Sequence, residues 1–267
     1  MELVRNSEDI SKLENNRLIG EPELINTRIQ FAGTNNILVC EGDIKLTNAN
    51  ISFNGSNSIV YLSYSQVTYR FNIIIRNNSA LFIGKNNKIG STEIHVEEHQ
   101  NVIIGDDSII GSGVSIRTCD SYPIYDFETK QRVNFSDSIL IGDHVWIDNR
   151  SYVSKGSQIG SGSIIGVNSY LPPNAVIHSN ILAQGNPIQI VRENVFFTKD
   201  FVGSCTADDT LNYATYKSNI FQYEYASNET LSFQKIDEIL KNLTVSEKLD
   251  FIDKLLIKNK RKNRFYY

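Results

Sequence analysis

The sequence predicts an all-β fold, a parallel β-helix, and three observations predict it. Every sixth residue from Ile141 is aliphatic: Ile141, Ile147, Val153, Ile159, Ile165, Leu171 and Ile177. The fifth residue of each six is small: Val145, Ser151, Ser157, Ser163, Ser169 and Ala175. Glycine follows the aliphatic residue in Ile141-Gly142, Ile159-Gly160 and Ile165-Gly166. A helix would repeat its apolar residues at three and four, and a hairpin strand at two. A strict six-residue period is the mark of stacked coils. Three such sides close a triangle, with the aliphatic side chain pointing in and the small residue packed beside it. One coil cannot bury its own apolar face, so coils must stack.

The elements follow in chain order. Residues 1–30 carry little periodicity and are expected to cap the helix, with a short polar helix over Ser7–Leu18. The β-helix is expected over 31–200. Its early coils read as irregular, because Leu38 and Ile44, or Ile83 and Ile89, keep the six-residue step while the register slips between runs. Frequent Asn in this part suits tight corners, since Asn tolerates a left-handed backbone. Regularity sharpens at Ile104-Gly105, Ile110-Gly111 and Ile116, then stops. Residues 118–138 contain charges, Pro123 and four aromatic residues without any six-residue step. A long excursion between two ordered coils is usually functional or disordered, and the aromatic content favours an ordered, functional loop. Gly185-Asn186-Pro187 turns the chain out of the last coil. Residues 201–267 form the extension. Ile236, Leu240 and Leu243 mark one helix, and Thr244-Val245-Ser246-Glu247 is a capping box opening a second. The stretch 258–264 holds five positive charges, read as a solvated tail or as a peripheral contact to a membrane surface or anionic polymer.

Composition bounds the function. The 267 residues have 40% hydrophobic content and a formal net charge of −4, which argues against a broad nucleic-acid surface. The opening residues show no export signal, and no run approaches the ~20 apolar residues of a membrane span. Three widely spaced cysteines suggest neither a redox pair nor a metal site, so a reducing cytoplasm is expected. No phosphate-binding glycine loop, zinc spacing or serine elbow is present.

In combination, the motifs resemble hexapeptide-repeat acyltransferases. They are most similar to bacterial O-acetyltransferases of sialic acids and capsular or surface polysaccharides. That signature runs IRTSDxHxIYD, then IGxxVWIG, KGxxIGxxSxIGxxS and GNPA. This chain has Ile116 to Asp126 (IRTCDSYPIYD), Ile141 to Ile147 (IGDHVWI), Lys155 to Gly160 (KGSQIG) and Gly185-Asn186-Pro187. The whole expectation is a left-handed parallel β-helix with a small C-terminal α-helical extension. The resemblance implies a homotrimer, acetyl-CoA lying between neighbouring subunits, a glycan acceptor, a loop histidine as general base, and the tryptophan of VWI (Trp146) at the reacting end.

Tyr122 stands where that signature has its histidine. A phenol with an ordinary pKa near 10 is a poor base at neutral pH, and loss of a general base typically costs about 10²–10⁴ in rate. Three accounts stay open. His144, read by strand alternation as sharing an outward face with Trp146, is the base, or Asp120 activates Tyr122. Alternatively the protein is an impaired trimer that binds or scaffolds glycan, or it is an active variant. Transfer to an amino-sugar nitrogen would depend less on a strong base. Lys155 is a candidate for a CoA phosphate, or a solvated lysine. Gly166, Asn168 and Ser169 match a coil holding the pantetheine arm, or simply turn corners. Arg192 resembles a residue at the phosphate end. His95, His99 and His178 are read as surface residues.

Overall fold

A computed structural model describes the whole chain, residues 1–267. It is a left-handed parallel β-helix of twenty-four strands. Two eight-stranded sheets and one six-stranded sheet form the three faces of the prism, with a two-stranded sheet, Glu23–Ile25 with Lys45–Thr47, in the first coils. Within a coil the chain passes the first face (as in Thr92–Val96), the second (Asn101–Ile104) and the third (Ile109–Ile110) before returning to the first (Ser115–Arg117).

The inward column from the repeat is fully formed. Ile110, Ile147 and Ile165 stand one above another on the third face, and Ile116, Val153 and Leu171 on the first. All are buried, and they belong to one continuous core of 37 residues along the prism axis. Each such side chain contributes about 1.5–3 kcal/mol on burial. The small fifth residues Ser151, Ser157, Ser163 and Ser169 are buried beside them.

The early register slips because those coils are longer and their second face is covered. The hydrogen-bonded step between coils is 22 or 21 residues early and 18 late. On the second face Ile59, Tyr61, Ala80, Phe82, Ile103 and Leu140 point outward yet are buried under the C-terminal extension. Runs such as Ile59–Leu62 are therefore apolar at every position, as in a sheet buried on both sides.

The N-terminal region is more β-like than expected. Helix α1 is a single turn, Ser7–Ile10, and Arg17–Ile19 already pairs in parallel with Ile37–Cys40. Asn16 is the reason: its Oδ1 accepts from the Asn36 backbone N (3.0 Å) and Nδ2 (2.9 Å), a ladder bond that a helix over 7–18 would forbid. The coils thus begin well before position 31. Both ends of the stack are closed by antiparallel strands, Glu2–Val4 on Arg28–Phe31 and Gln189–Glu193 on Ile181–Gln184, which blunts the exposed edges.

After the last coil, residues 194–199 run back along the corner between the second and third faces. Helix α2 is Ala207–Asn212, α3 Phe233–Asn242 and α4 Val245–Phe251, the last opened by the Thr244–Glu247 capping box. Phe233, Ile236 and Leu240 of α3, with Val245 of α4, bury against the second face. No helix is long and apolar enough to cross a membrane.

The basic stretch 258–264 keeps Lys258, Lys260, Arg261 and Lys262 exposed but is anchored at its end. Arg264 is buried and donates from Nε to Asp143 Oδ2 (2.8 Å) and from Nη2 to Asp143 Oδ1 (2.8 Å), with Asp106 Oδ2 at 3.0 Å. Lys258 pairs with Asp253, and Lys262 donates to the Asn219 carbonyl. Arg264→Leu is expected to cost about 3–5 kcal/mol, because it strands buried carboxylates without their partner. Lys258→Ala, at an exposed pair, should cost about 1 kcal/mol or less. Urea denaturation midpoints check this, and equal effects would contradict the buried anchor.

Candidate functional site

The three corners of the prism carry the polar chemistry, and each is a column of residues with left-handed backbone. The corner between the second and third faces runs Asn86, Asp107, His144, Gly162 and Asn180, all with φ between 53° and 79°. His144 is therefore a corner residue, and strand alternation does not apply to it. This corrects the expectation that it shares an outward face with Trp146. Its ring is fully buried between Phe197 (4.1 Å) and Phe221 (4.2 Å), nearly parallel to both. Nε2 lies 2.9 Å from the Phe197 carbonyl and Nδ1 3.3 Å from Asp107 Oδ2. Nε2 holds the returning strap 194–199 and Nδ1 faces the Asp107 carboxylate of the same corner, and neither meets solvent. Lys199 adds a 2.5 Å contact to Asp107 Oδ1. Burial opposes ionisation of Asp107, but its bonds to His144 and Lys199 hold the carboxyl below the usual range.

Trp146 does face outward, on the third face. It is half-buried in the column Lys88, Ile109, Trp146, Ile164, Leu182, Arg192, with its ring 5.8 Å from Phe197. Beside it opens a cleft of about 350 Å³ at the corner of the third and first faces. Trp146, Ile109, Arg70, Lys88, Asp148 and Asn149 line it. A second cleft, about 470 Å³, lies on the first-face side of the same corner and includes Asp120, Arg150, Tyr152, Asn168, Ser169 and Asn186. The tyrosine rings of Tyr152 and Tyr170 meet there at 5.9 Å. Arg70 also borders a polar groove of about 480 Å³ further toward the N-terminal end.

The excursion 118–138 is an ordered arm inserted at the corner between the first and second faces. Tyr125 and Arg132 form an antiparallel bridge, and Asp126 Oδ1 accepts from the backbone of Glu128 and Thr129 at the tip. Its root is clamped twice. Lys155 Nζ donates to Asp120 Oδ2 (2.6 Å) and to the Asn134 carbonyl (3.0 Å), while Asn134 Nδ2 donates to Asp120 Oδ2 (2.8 Å). Arg132 forks onto Glu98 at 2.7 and 2.8 Å, and Ser136 also donates to Glu98. Lys155 is thus buried under the arm; it is neither solvated nor placed for a phosphate. The Lys155 bond holds the Asp120 carboxyl below the usual range against a smaller burial effect, so Asp120 is a committed ion-pair partner. Tyr122 is 80% exposed and contributes only its backbone carbonyl to the Asn134 clamp. Phe127 and Phe135 are 86% and 67% exposed.

The structure therefore gathers Asp120, Asn168 and Ser169 at one cleft and puts Trp146 at the neighbouring one. Gly166 lies on the rung between, with its carbonyl accepting from Ser151 and Ser169. Arg192 is exposed on the closing hairpin. His144 belongs to a different corner. Arg70, Lys88 and Asp148 escaped the sequence reading. Only the last had a signal there: Asp148 follows Ile147 where glycine follows Ile110 and Ile165.

The chain is similar to known proteins in the same region. The family model described as bacterial transferase hexapeptide (six repeats) matches residues 138–179. The chain is 35% identical over 138 residues to a polysialic acid O-acetyltransferase of Escherichia coli O1:K1 / APEC, covering 52% of this chain and 44% of that protein. It is 28% identical over 120 residues to a polysialic acid O-acetyltransferase of Neisseria meningitidis, covering 45% and 56%. The matched stretch spans about half the length of these two relatives. Among solved structures it resembles the polySia-specific acetyltransferase NeuO, with TM-score 0.64, 29% identity, and coverage of 75% of this chain and 94% of that one. It resembles the polysialic acid O-acetyltransferase OatWY with TM-score 0.62, 25% identity, and coverage of 75% and 96%.

The arm's second clamp is pH-dependent. The Arg132 fork, then Ser136, depress the Glu98 carboxyl to about 2 from an ordinary value near 4.5. A depressed carboxyl stabilises the folded form above its unfolded pKa, and that contribution is lost as pH falls toward 2. Pepsin cleavage within 118–138 is expected to accelerate as pH falls from 4.5 to 2, and less so in Glu98→Gln. Cleavage insensitive to both changes would contradict the clamp.

Proposed function

We propose that this protein transfers an acetyl group from acetyl-CoA to a hydroxyl of a sialic acid or of a capsular or surface polysaccharide. The observation that carries the reading is Trp146, set in an open cleft on a β-helix that superimposes on two polysialic acid O-acetyltransferase structures over three quarters of this chain. The coils beside Gly166, Asn168 and Ser169 offer backbone and hydroxyl groups along a groove suited to a pantetheine arm. Arg192, exposed on the closing hairpin and without an ion-pair partner, would meet a phosphate at the end of the stack. Acetyl-CoA as donor places the reaction in the cytoplasm.

The working form is a homotrimer. The second face is covered by α3 and α4, so only the first and third faces and their corner are open to neighbours. The arm projects Tyr122, Tyr125, Phe127 and Phe135 into solvent in one copy, and a neighbouring prism would cover them. Lys155 and Asp120 act as positioning residues that hold this arm.

A second reading, a catalytically impaired trimer that binds glycan, is favoured by Tyr122 itself. Free-thiol release from acetyl-CoA in the presence of sialic acid polymers, other capsular glycans and amino sugars separates the two. Turnover is expected with a sialylated hydroxyl acceptor, and Trp146→Ala should lower kcat/KM about 10-fold or more, roughly 1.4 kcal/mol. Glycan binding with no thiol release on any acceptor would overturn the transferase reading in favour of the second.

A further inference from the structure

At the corner between the third and first faces, the residue after each inward aliphatic forms a column: Gly90, Gly111, Asp148, Gly166 and Gln184. Their backbone amides donate from rung to rung, Gly111 N to the Ile147 carbonyl (2.8 Å) and Asp148 N to the Ile165 carbonyl (2.9 Å). A Cβ at Gly111 would come within 2.7 Å of the Asn149 backbone N, and one at Gly166 within 2.8 Å of Gln184, so this corner is tight. Asp148 is the single carboxylate in the column, with glycine on the rung below and on the rung above. Neither flanking rung has a side chain at the equivalent position.

The carboxylate is also chemically free. Its Oδ1 accepts from Asn149 N (2.7 Å) and Asn149 Nδ2 (2.9 Å), which fixes the side chain's direction. Its Oδ2 has no protein partner, and Asp148 takes part in no salt bridge. Asp148 directly follows the strand Trp146–Ile147, and both Asp148 and Trp146 line the 350 Å³ cleft. None of the four histidines lines that cleft. The other candidate bases are engaged or unsuited. Asp120 is paired with Lys155, His144 has both nitrogens bonded in a buried sandwich, and Tyr122 offers a phenol.

Resting on the acetyl-transfer reading, we infer that Asp148 is the catalytic base of this protein, serving where the similar enzymes' signature has its loop histidine. The acceptor hydroxyl oxygen attacks the thioester carbonyl carbon as its proton passes to Asp148 Oδ2. The carbon–sulfur bond then breaks, and the proton passes on to the CoA thiolate, giving the O-acetyl ester and free thiol and restoring the carboxylate. An anchored Oδ1 with an open Oδ2 is the geometry a general base needs, a fixed direction and one free lone-pair site. Arg70 and Lys88 border the same cleft without ion-pair partners, so an acceptor bearing its own carboxylate is drawn to the same place.

The test uses the full chain with acetyl-CoA and the acceptor giving the highest turnover. Asp148→Gly installs the residue found on both flanking rungs, and Asp148→Asn keeps the shape, so folding is preserved in at least one. Both are expected to lower kcat by about 100-fold or more while KM for acetyl-CoA stays within about threefold. Wild-type kcat/KM is expected to show no loss centred near about pH 6.5, the ordinary pKa of an imidazole base. Wild-type turnover with both variants within about threefold of it would overturn the assignment and leave the transfer reading standing. Loss of activity centred near pH 6.5 would likewise overturn it in favour of a histidine. Absence of wild-type turnover on every acceptor would bring down the transfer reading, and this inference with it.

Discussion

Vertical register between coils is the constraint on which the rest of this structure depends. Each inward aliphatic must sit over the one below, because a slip of one residue would turn the entire rung's apolar set toward water. Once Ile110, Ile147 and Ile165 are stacked, every outward and corner residue is stacked too. Columns of like position follow without further specification: apolar on the third face at Ile109, Trp146 and Ile164, left-handed at the corners, glycine between the third and first faces. The candidate site is made of departures from those columns. Trp146 is an indole among branched aliphatics. Asp148 is a carboxylate among glycines. The arm 118–138 is an insertion at a corner its neighbours turn in a few residues.

The appendages divide the prism's surface. The extension covers the second face with an apolar seam from Ile37 to Leu140 and ties its own end to the coils through Arg264 and Phe265. Phe197 of the strap 194–199, with Phe221 from the later chain, closes the adjoining corner by sandwiching His144. What stays open is the corner between the third and first faces, where the two clefts lie. Of the positive charge that the linear sequence concentrates near residue 260, Arg264 is buried against Asp143, whereas Arg70, Lys88 and Arg150, scattered in sequence, converge on the open corner.

Much of this was legible in the sequence where periodicity speaks. The prism, its inward column, the small buried serines, the arm and the second C-terminal helix all follow from spacing or from a capping pattern. What was not legible depends on long-range contact. His144 reads as a strand residue until the corner column of Asn86, Asp107 and Asn180 reveals its left-handed backbone. Lys155 reads as a surface lysine until the arm, folded back from position 120, covers it. Arg264 reads as part of a basic tail until Asp143, more than a hundred residues earlier, receives it. Asn16 breaks a plausible helix because Asn36 lies one coil away. Local pattern describes a repeat well and describes poorly whatever is laid across it.

The central claim is that the reacting end lies at the Trp146 cleft on the open corner. A crystal structure of the protein with CoA and an acceptor oligosaccharide tests it most directly. The account predicts the CoA sulfur beside the Trp146 ring and an acceptor hydroxyl within about 3 Å of Asp148 Oδ2. Finding the sulfur on another corner, or at the buried His144, would contradict it.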